Sequence, residues 1–209
     1  YKKLKMFIHS ELTDPNNYTL NDGDVTVFIR LGTDFTNNYY EYEIPLHPTP
    51  LNVNPQDPAI RNLVWRDSLD LSLEKLVELK KRRNTLIRAG VANVSTTLPY
   101  SEMDGPNKMT IMGVPNLSDV RTIMIGIRNP KRSPTNLNDD GQPKCVEVWI
   151  NELRLTDFDE KGGWAATTQV STNLADLGNV AIVGNVSTAG FGSMDKKISE
   201  RQKDNIFSY

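Results

Sequence analysis

The sequence is poor in the residues that build metal and redox sites. It has one cysteine, Cys145, and two histidines in 209 residues. A single thiol excludes an intrachain disulfide and a cysteine-based zinc site, so cysteine usage does not identify a compartment. His9 and His47 lie far apart in unrelated contexts and read as strand or surface histidines rather than metal ligands. No run of about 20 apolar residues occurs, which excludes a transmembrane helix. Positive charge is not in excess either. The net charge is −2, so no bulk basic surface attracts nucleic acid, and no nucleic-acid partner is expected. The sequence opens on Tyr1 rather than a methionine and shows no signal peptide, which an excised piece need not keep. Tyr1-Lys2-Lys3 already has strand character, and Ile206-Phe207-Ser208-Tyr209 stops inside another alternation, so both ends read as those of a fragment.

What is present is a β-type pattern. Hydrophobic residues make up 38% and charged residues 24%, with 13 Gly and 12 Pro. With long helical patterns scarce, that balance favours short strands joined by turns. Leu4, Met6 and Ile8 alternate with Lys3, Lys5 and Phe7. After the turn cluster Asn21-Asp22-Gly23-Asp24, Val25, Val27, Ile29 and Leu31 share one face. Tyr39 to Leu46 reads as a further strand with Tyr40, Tyr42 and Ile44 together. Pro45 puts its end at a sheet edge or strand terminus. Pro48 to Pro58 reads as loop, and Leu69 and Leu71 alternate as a strand.

From Leu73 the spacing changes. Leu73, Leu76, Val77 and Lys80 follow a helical period, which predicts one short helix over Leu73 to Arg83 with Ser72 as N-cap. The run Lys80-Lys81-Arg82-Arg83 then falls at its C-terminal end, where the helix dipole favours cations. Thr122 to Arg128 and Cys145 to Leu155 are strong strands flanking the turn Asn138-Asp139-Asp140-Gly141. In the second of these, Val146, Val148 and Ile150 share one parity, while Leu153 and Leu155 fall on the other. A β-bulge near Asn151-Glu152 repairs that slip. The expected core includes Val27, Ile29, Leu31, Ile123, Ile125, Ile127, Val146, Val148 and Ile150. The expected fold class is all-β: a jelly-roll-like sandwich with one short helix over residues 1–160.

Beyond a Gly-rich joint at 161–164 the chemistry shifts. Trp164 to Gly192 carries no charge except Asp176. Ala165 to Ala175 and Val180 to Gly190 are mildly apolar on one parity and flank Asp176-Leu177-Gly178-Asn179. Strands of about 9–11 residues with this alternation suit an outer-membrane barrel as well as a soluble hairpin. Residues 165–209 are expected to form a hairpin and the start of a further strand at about Ile206, and the pattern alone leaves both settings open.

No nucleophile–base pair, metal cluster or phosphate loop is visible. The expectation is a non-enzyme with no catalytic, cofactor-binding or metal residue and no cofactor. Asp22-Gly23-Asp24 and Asp139-Asp140-Gly141 read as turns rather than calcium loops. Tyr18, Tyr39, Tyr40, Tyr42, Trp65 and Tyr100 either fill the sandwich core or form a sugar platform, so a carbohydrate-binding jelly-roll module of an exported protein is the alternative function.

One resemblance spans nearly the whole chain. The runs Val148-Trp149-Ile150-Asn151-Glu152-Leu153-Arg154-Leu155, Phe158-Asp159-Glu160-Lys161-Gly162-Gly163-Trp164-Ala165-Ala166, Leu174-Ala175-Asp176-Leu177-Gly178-Asn179 and Gly190-Phe191-Gly192-Ser193 resemble the SprA/Sov family of gliding-motility cell-surface proteins. Tyr1-Lys2-Lys3-Leu4-Lys5-Met6-Phe7, Phe28-Ile29-Arg30-Leu31-Gly32 and Thr122-Ile123-Met124-Ile125-Gly126-Ile127-Arg128-Asn129-Pro130 look like the same family. The resemblance implies a small part of a very large outer-membrane β-barrel translocon of the type IX secretion system in Bacteroidetes, and so a hairpin of outer-membrane-barrel type over residues 165–209 with Ile182 on the lipid face. It implies a PorV-like shuttle protein, a periplasmic plug protein and secreted cargo proteins as partners. It also implies a location at the cell outer membrane, with the sandwich domain periplasmic or extracellular. No individual functional residue carries over.

Overall fold

The computed structural model of the protein describes residues 1–16, 19–50, 54, 56–58, 63–130, 142–157, 162–192 and 204–208. The chain divides into two compact units, Tyr1–Asp157 and Phe158–Tyr209. Tyr18, the Asn138–Gly141 turn, most of the charged block after Gly192 and part of the Pro48–Pro58 loop lie outside the described residues.

In the first unit, alternation translates directly into strands. Among the described residues there are eight: β1 Lys3–Leu12, β2 Thr26–Gly32, β3 Tyr39–Pro45, β4 Asp67–Ser72, β5 Tyr100–Asp104, β6 Asn107–Met112, β7 Thr122–Arg128 and β8 Val146–Thr156. They form a three-stranded sheet, β4-β1-β8, and a five-stranded sheet, β5-β6-β3-β2-β7. Each pairing is antiparallel. β1 pairs with β8, β2 with β7 and β3 with β6, the nested pairing of a rolled ribbon, although β3 stays beside β2 in one sheet. The two inner faces share one core of Leu4, Met6, Ile8, Leu69 and Leu71 against Val27, Ile29, Leu31, Tyr40, Tyr42, Ile44, Met109 and Ile111. The β5–β6 hairpin, turned at Gly105, is an element the periodicity of Ser101 to Met112 did not announce.

Helix α1 spans Leu73–Arg88, five residues beyond the expected end. Ser72 occupies the N-cap position, but its side chain makes no capping hydrogen bond. The inward face is Leu76, Leu79 and Arg83, while Val77 is exposed. The basic run therefore sits inside the helix and does not neutralise its C-terminus, where only Arg88 is basic. Two of its members are structural. Arg83 is fully buried and donates from Nη1 to the Gly113 carbonyl at 2.6 Å, and Lys80 donates to the Pro115 carbonyl at 2.7 Å. Burial lowers the pKa of both. Gly113 itself adopts φ 69°, and a Cβ there would lie 1.9 Å from the Asn37 carbonyl oxygen, so only glycine fits. On the outside, Lys75 pairs with Asp104 and Arg82 with Glu102. Thus α1 closes the side of the sandwich between β4 and β6.

The opposite side is different. Ile123, Ile125 and Ile127 lie directly across from Leu31, Ile29 and Val27 and so share the inner face. Yet Ile123 is 52% and Ile127 49% exposed, and Ile125 is only partly buried. Parity placed them correctly and burial did not follow, because β7 is an edge strand with no layer over it among the described residues. Ile150 on edge strand β8 is exposed for the same reason, and Val146 and Val148 are partly buried. The expected bulge is present. The β1–β8 register shifts between Lys5 and Phe7, opposite Asn151 to Arg154, and Glu152 has φ 56°. Leu155 then faces Leu4.

The second unit contains β9 Ala165–Asn173, β10 Asn179–Ser187 and β11 Ile206–Ser208, with a 3₁₀ turn at Ala175–Leu177. β9 and β10 pair antiparallel from Ala165 opposite Ser187 to Asn173 opposite Asn179, and β11 adds to the other side of β10. The order is β11-β10-β9 with two free edges. This corrects the barrel-type expectation for 165–209. A barrel needs strands that close on themselves with a consistent tilt and stagger, and this sheet is open. Ile182 is exposed opposite Val170 on an uncovered face, with no closed wall around it.

Candidate functional site

The five-stranded sheet buries its inner face, and its outer face forms the most structured polar surface of the first unit. Register sets the arrangement. One row across the strands reads Met124, Arg30, Glu41, Thr110, Ser101. The next reads Gly126, Phe28, Glu43, Lys108, Met103. Pro45, Pro99, Pro106 and Pro130 rim a depression of about 1080 Å³ over this floor.

The floor is an ion-pair lattice. Glu41 and Glu43 are 4% and 7% exposed, although strand alternation alone marks them as solvent-facing. Arg30 donates from Nε to Glu41 Oε2 at 2.9 Å, and Arg128 from Nη2 to Glu41 Oε1 at 3.1 Å. Arg128 Nη1 also reaches Glu43, and Thr26 Oγ1 donates to Glu43 Oε1 at 2.6 Å. Lys108 Nζ stands 3.9 Å from Glu43. Phe28 lies beneath both guanidinium groups, 4.5 Å from that of Arg128 and 5.5 Å from that of Arg30. Three cations against two carboxylates leave the floor one positive charge in excess. Each carboxylate accepts several charge-assisted bonds, the condition under which a buried acid is tolerated. Neither is free to act as a base. The arrangement can hold a polar or anionic ligand through Arg128 and Lys108, and its hydroxyls are engaged, Thr26 with Glu43 and Ser101 with Thr110 at 2.8 Å.

The sugar-platform aromatics do not assemble here. Tyr40 and Tyr42 belong to the core on the opposite face, where burial pushes each phenol up to about 12. The Tyr42 hydroxyl donates to Asp104 at 2.9 Å. Trp65 lies away from the floor, with its ring 5.7 Å from that of His9. The Tyr100 hydroxyl bonds Glu102. Among the described candidates only Tyr39 lines the depression, and the Arg30 guanidinium lies over one face of its ring at 3.9 Å. A stacking platform needs open ring faces side by side, and the described aromatics do not supply one here.

The remaining acidic candidates are also paired. Asp24 accepts from Lys144 Nζ at 2.9 Å and from the Asn21 backbone at 2.9 Å, and Asp22 pairs with Arg66. Asp67 accepts from both the backbone and Nδ1 of His47 at 2.7 Å. Among the described residues no group of three or more His, Cys, Asp or Glu is placed to hold a metal, and no helix is long and apolar enough to cross a membrane. The lattice of Arg30, Glu41, Glu43 and Arg128 was missed from sequence. Its one signal was charged residues at alternate positions of two neighbouring strong strands.

The sequence has no match among curated proteins. It does match a family model along its whole length, residues 1–209, and the family is SprA_N, motility related/secretion protein. A match over the entire chain shows membership: this chain belongs to the SprA_N family.

Proposed function

We propose that this chain is a non-catalytic structural component of a protein-secretion apparatus of the outer membrane, the type IX translocon. The observation that carries the reading is the family match over all 209 residues. The geometry supports it, since the best-formed polar surface holds both of its carboxylates, Glu41 and Glu43, in ion pairs and leaves neither free to act as an acid or base. On this reading the sandwich is periplasmic or extracellular, and the parent protein works with a PorV-like shuttle protein, a periplasmic plug protein and secreted cargo proteins.

The test is made in the full-length parent protein. Residues 1–157 are deleted in frame, and secretion of a cargo protein and surface motility are measured beside the amount of parent protein in the outer membrane. The expected result is loss of cargo in the medium and of motility, with parent protein still present. Normal secretion and motility by the deleted form would overturn the reading.

A further inference from the structure

The sandwich is closed on one side by α1 and, among the described residues, open on the other. On the open side, β7 and β8 are edge strands of the two sheets, with no further strand of the described residues beside them. Their inward-facing Ile123, Ile127, Ile150, Leu153 and Leu155 are 38–52% exposed. Long edge strands with uncovered apolar side chains pair with other strands.

The outer face of β8 indicates which strand. In the β1–β8 pair, like charges face each other twice: Glu11 is opposite Glu147, and Lys5 is opposite Arg154. Like charges directly opposite destabilise a pair. Lys5 is relieved on its other flank by Asp70 at 3.2 Å, whereas Glu11 has no β4 residue opposite it, the pairing ending at Ile8. Arg154 meets Glu152 at 3.4 Å, with both side chains about half exposed. One end of the edge is thus doubly acidic and the other doubly basic.

We propose that the free edge of β8 pairs antiparallel with β8 of a second copy of this chain. The register sets Val146 opposite Leu155, Glu147 opposite Arg154 and Val148 opposite Leu153, in both arms by the twofold axis. The bulge at Glu152 makes this possible. Without it, Val148 and Leu153 would point to opposite faces. With it, Leu153 and Leu155 rejoin the face of Val146 and Val148, so apolar meets apolar inside and acid meets base outside. Residues 149–152 of the two copies hold the two bulges at the centre. Each acidic pair, Glu11 with Glu147, then abuts the basic pair, Arg154 with Lys5, of the other copy. Two three-stranded sheets become one of six strands, and the two open sides adjoin.

Sedimentation equilibrium on the full 209-residue chain tests this, with circular dichroism melts confirming that each variant is folded. The wild type is expected to dimerise, more weakly as salt is raised. Glu147→Arg alone and Arg154→Glu alone should each raise the dissociation constant about tenfold or more, because each turns two attractive pairs repulsive. The double exchange should return the constant to near the wild-type value. Three results would overturn the proposal: a monomer at all concentrations, including one whose edge instead takes a strand of another protein; single reversals without effect; or a double exchange no better than the singles.

Discussion

The ring of Phe28 lies over Gly126, its direct partner across β2 and β7, and a Cβ built at 126 would come within 2.5 Å of the Phe28 Cζ. The glycine is the space that lets the ring lie flat beneath Arg30 and Arg128. Gly126→Ala should tilt the ring out and loosen both guanidinium groups. A loss of about 1–3 kcal/mol is expected from this overpacking. In a Phe28→Ala background the same change should lose clearly less, and a double-mutant cycle by urea unfolding reads the difference.

Asp24 and Lys144 form the most enclosed ion pair among the described residues, with side chains 4% and 3% exposed. Lys144→Met removes the cation and leaves the carboxylate in a site with little water. Breaking one partner of such a pair loses about 3–5 kcal/mol, whereas removing both charges is often close to neutral. Lys144→Met should therefore be much worse than Asp24→Leu combined with Lys144→Met. Thermal melts of the two variants check the order.

Acid should weaken the contact between α1 and the β5–β6 hairpin. The Lys75 ammonium, bonded to Asp104, holds that carboxyl below its ordinary pKa, and the Tyr42 hydroxyl adds to this. At Glu102, burial opposes ionisation, but hydrogen bonds from Arg82 and Tyr100 outweigh it and lower the pKa. A carboxyl whose pKa is lower in the folded chain than in the unfolded one stabilises the fold above the unfolded value. That stabilisation is lost as the pH falls through the folded value. Stability should accordingly decline on acidification below about pH 4. Asp104→Asn should be less stable than wild type near neutrality, and the gap should close toward low pH. Urea midpoints across that range test it.

Ile29 and Ile123 separate burial from parity. Both face the core side, but Ile29 is fully buried on β2, which has a strand on either side, and Ile123 is half exposed on the edge strand β7. Ile29→Ala should lose about 2–5 kcal/mol. Ile123→Ala should stay within about 0.5 kcal/mol of wild type in the monomer. Chemical denaturation at low protein concentration measures both.

The same contrast explains how far the sequence could be read. β1, β2, β3, β4, β7 and β8 were legible because apolar alternation is a local property, and so was the bulge, because Leu153 and Leu155 break parity within a few residues of Ile150. Whether an inward-facing residue is covered depends on which strand ends beside it, and that is decided by distant segments. The β5–β6 hairpin was hidden because Ser101, Glu102, Lys108 and Thr110 dilute its apolar alternation, although Asp104-Gly105 marks its turn. Glu41 and Glu43 alternate with Tyr40, Tyr42 and Ile44, and Arg83 falls at the predicted end of the helix. Their burial rests on partners far along the chain, Arg128 for the two glutamates and Gly113 for Arg83, which no local pattern encodes. The open three-stranded sheet of residues 165–208 shows the same limit. Ten-residue alternation fits a barrel wall and a free sheet equally well.

The nested pairing also sets an order in time. β1 is the first strand of the chain, yet one whole flank of it is completed only by β8, where Lys3 meets Thr156. Such far-separated partners raise the contact order and slow folding. Until β8 has been made, the nascent first unit carries β1 with that flank unsatisfied. Its final closure is coupled to arrival of the Val146–Thr156 segment, so a chain interrupted before that point should remain vulnerable to proteases and to mispairing.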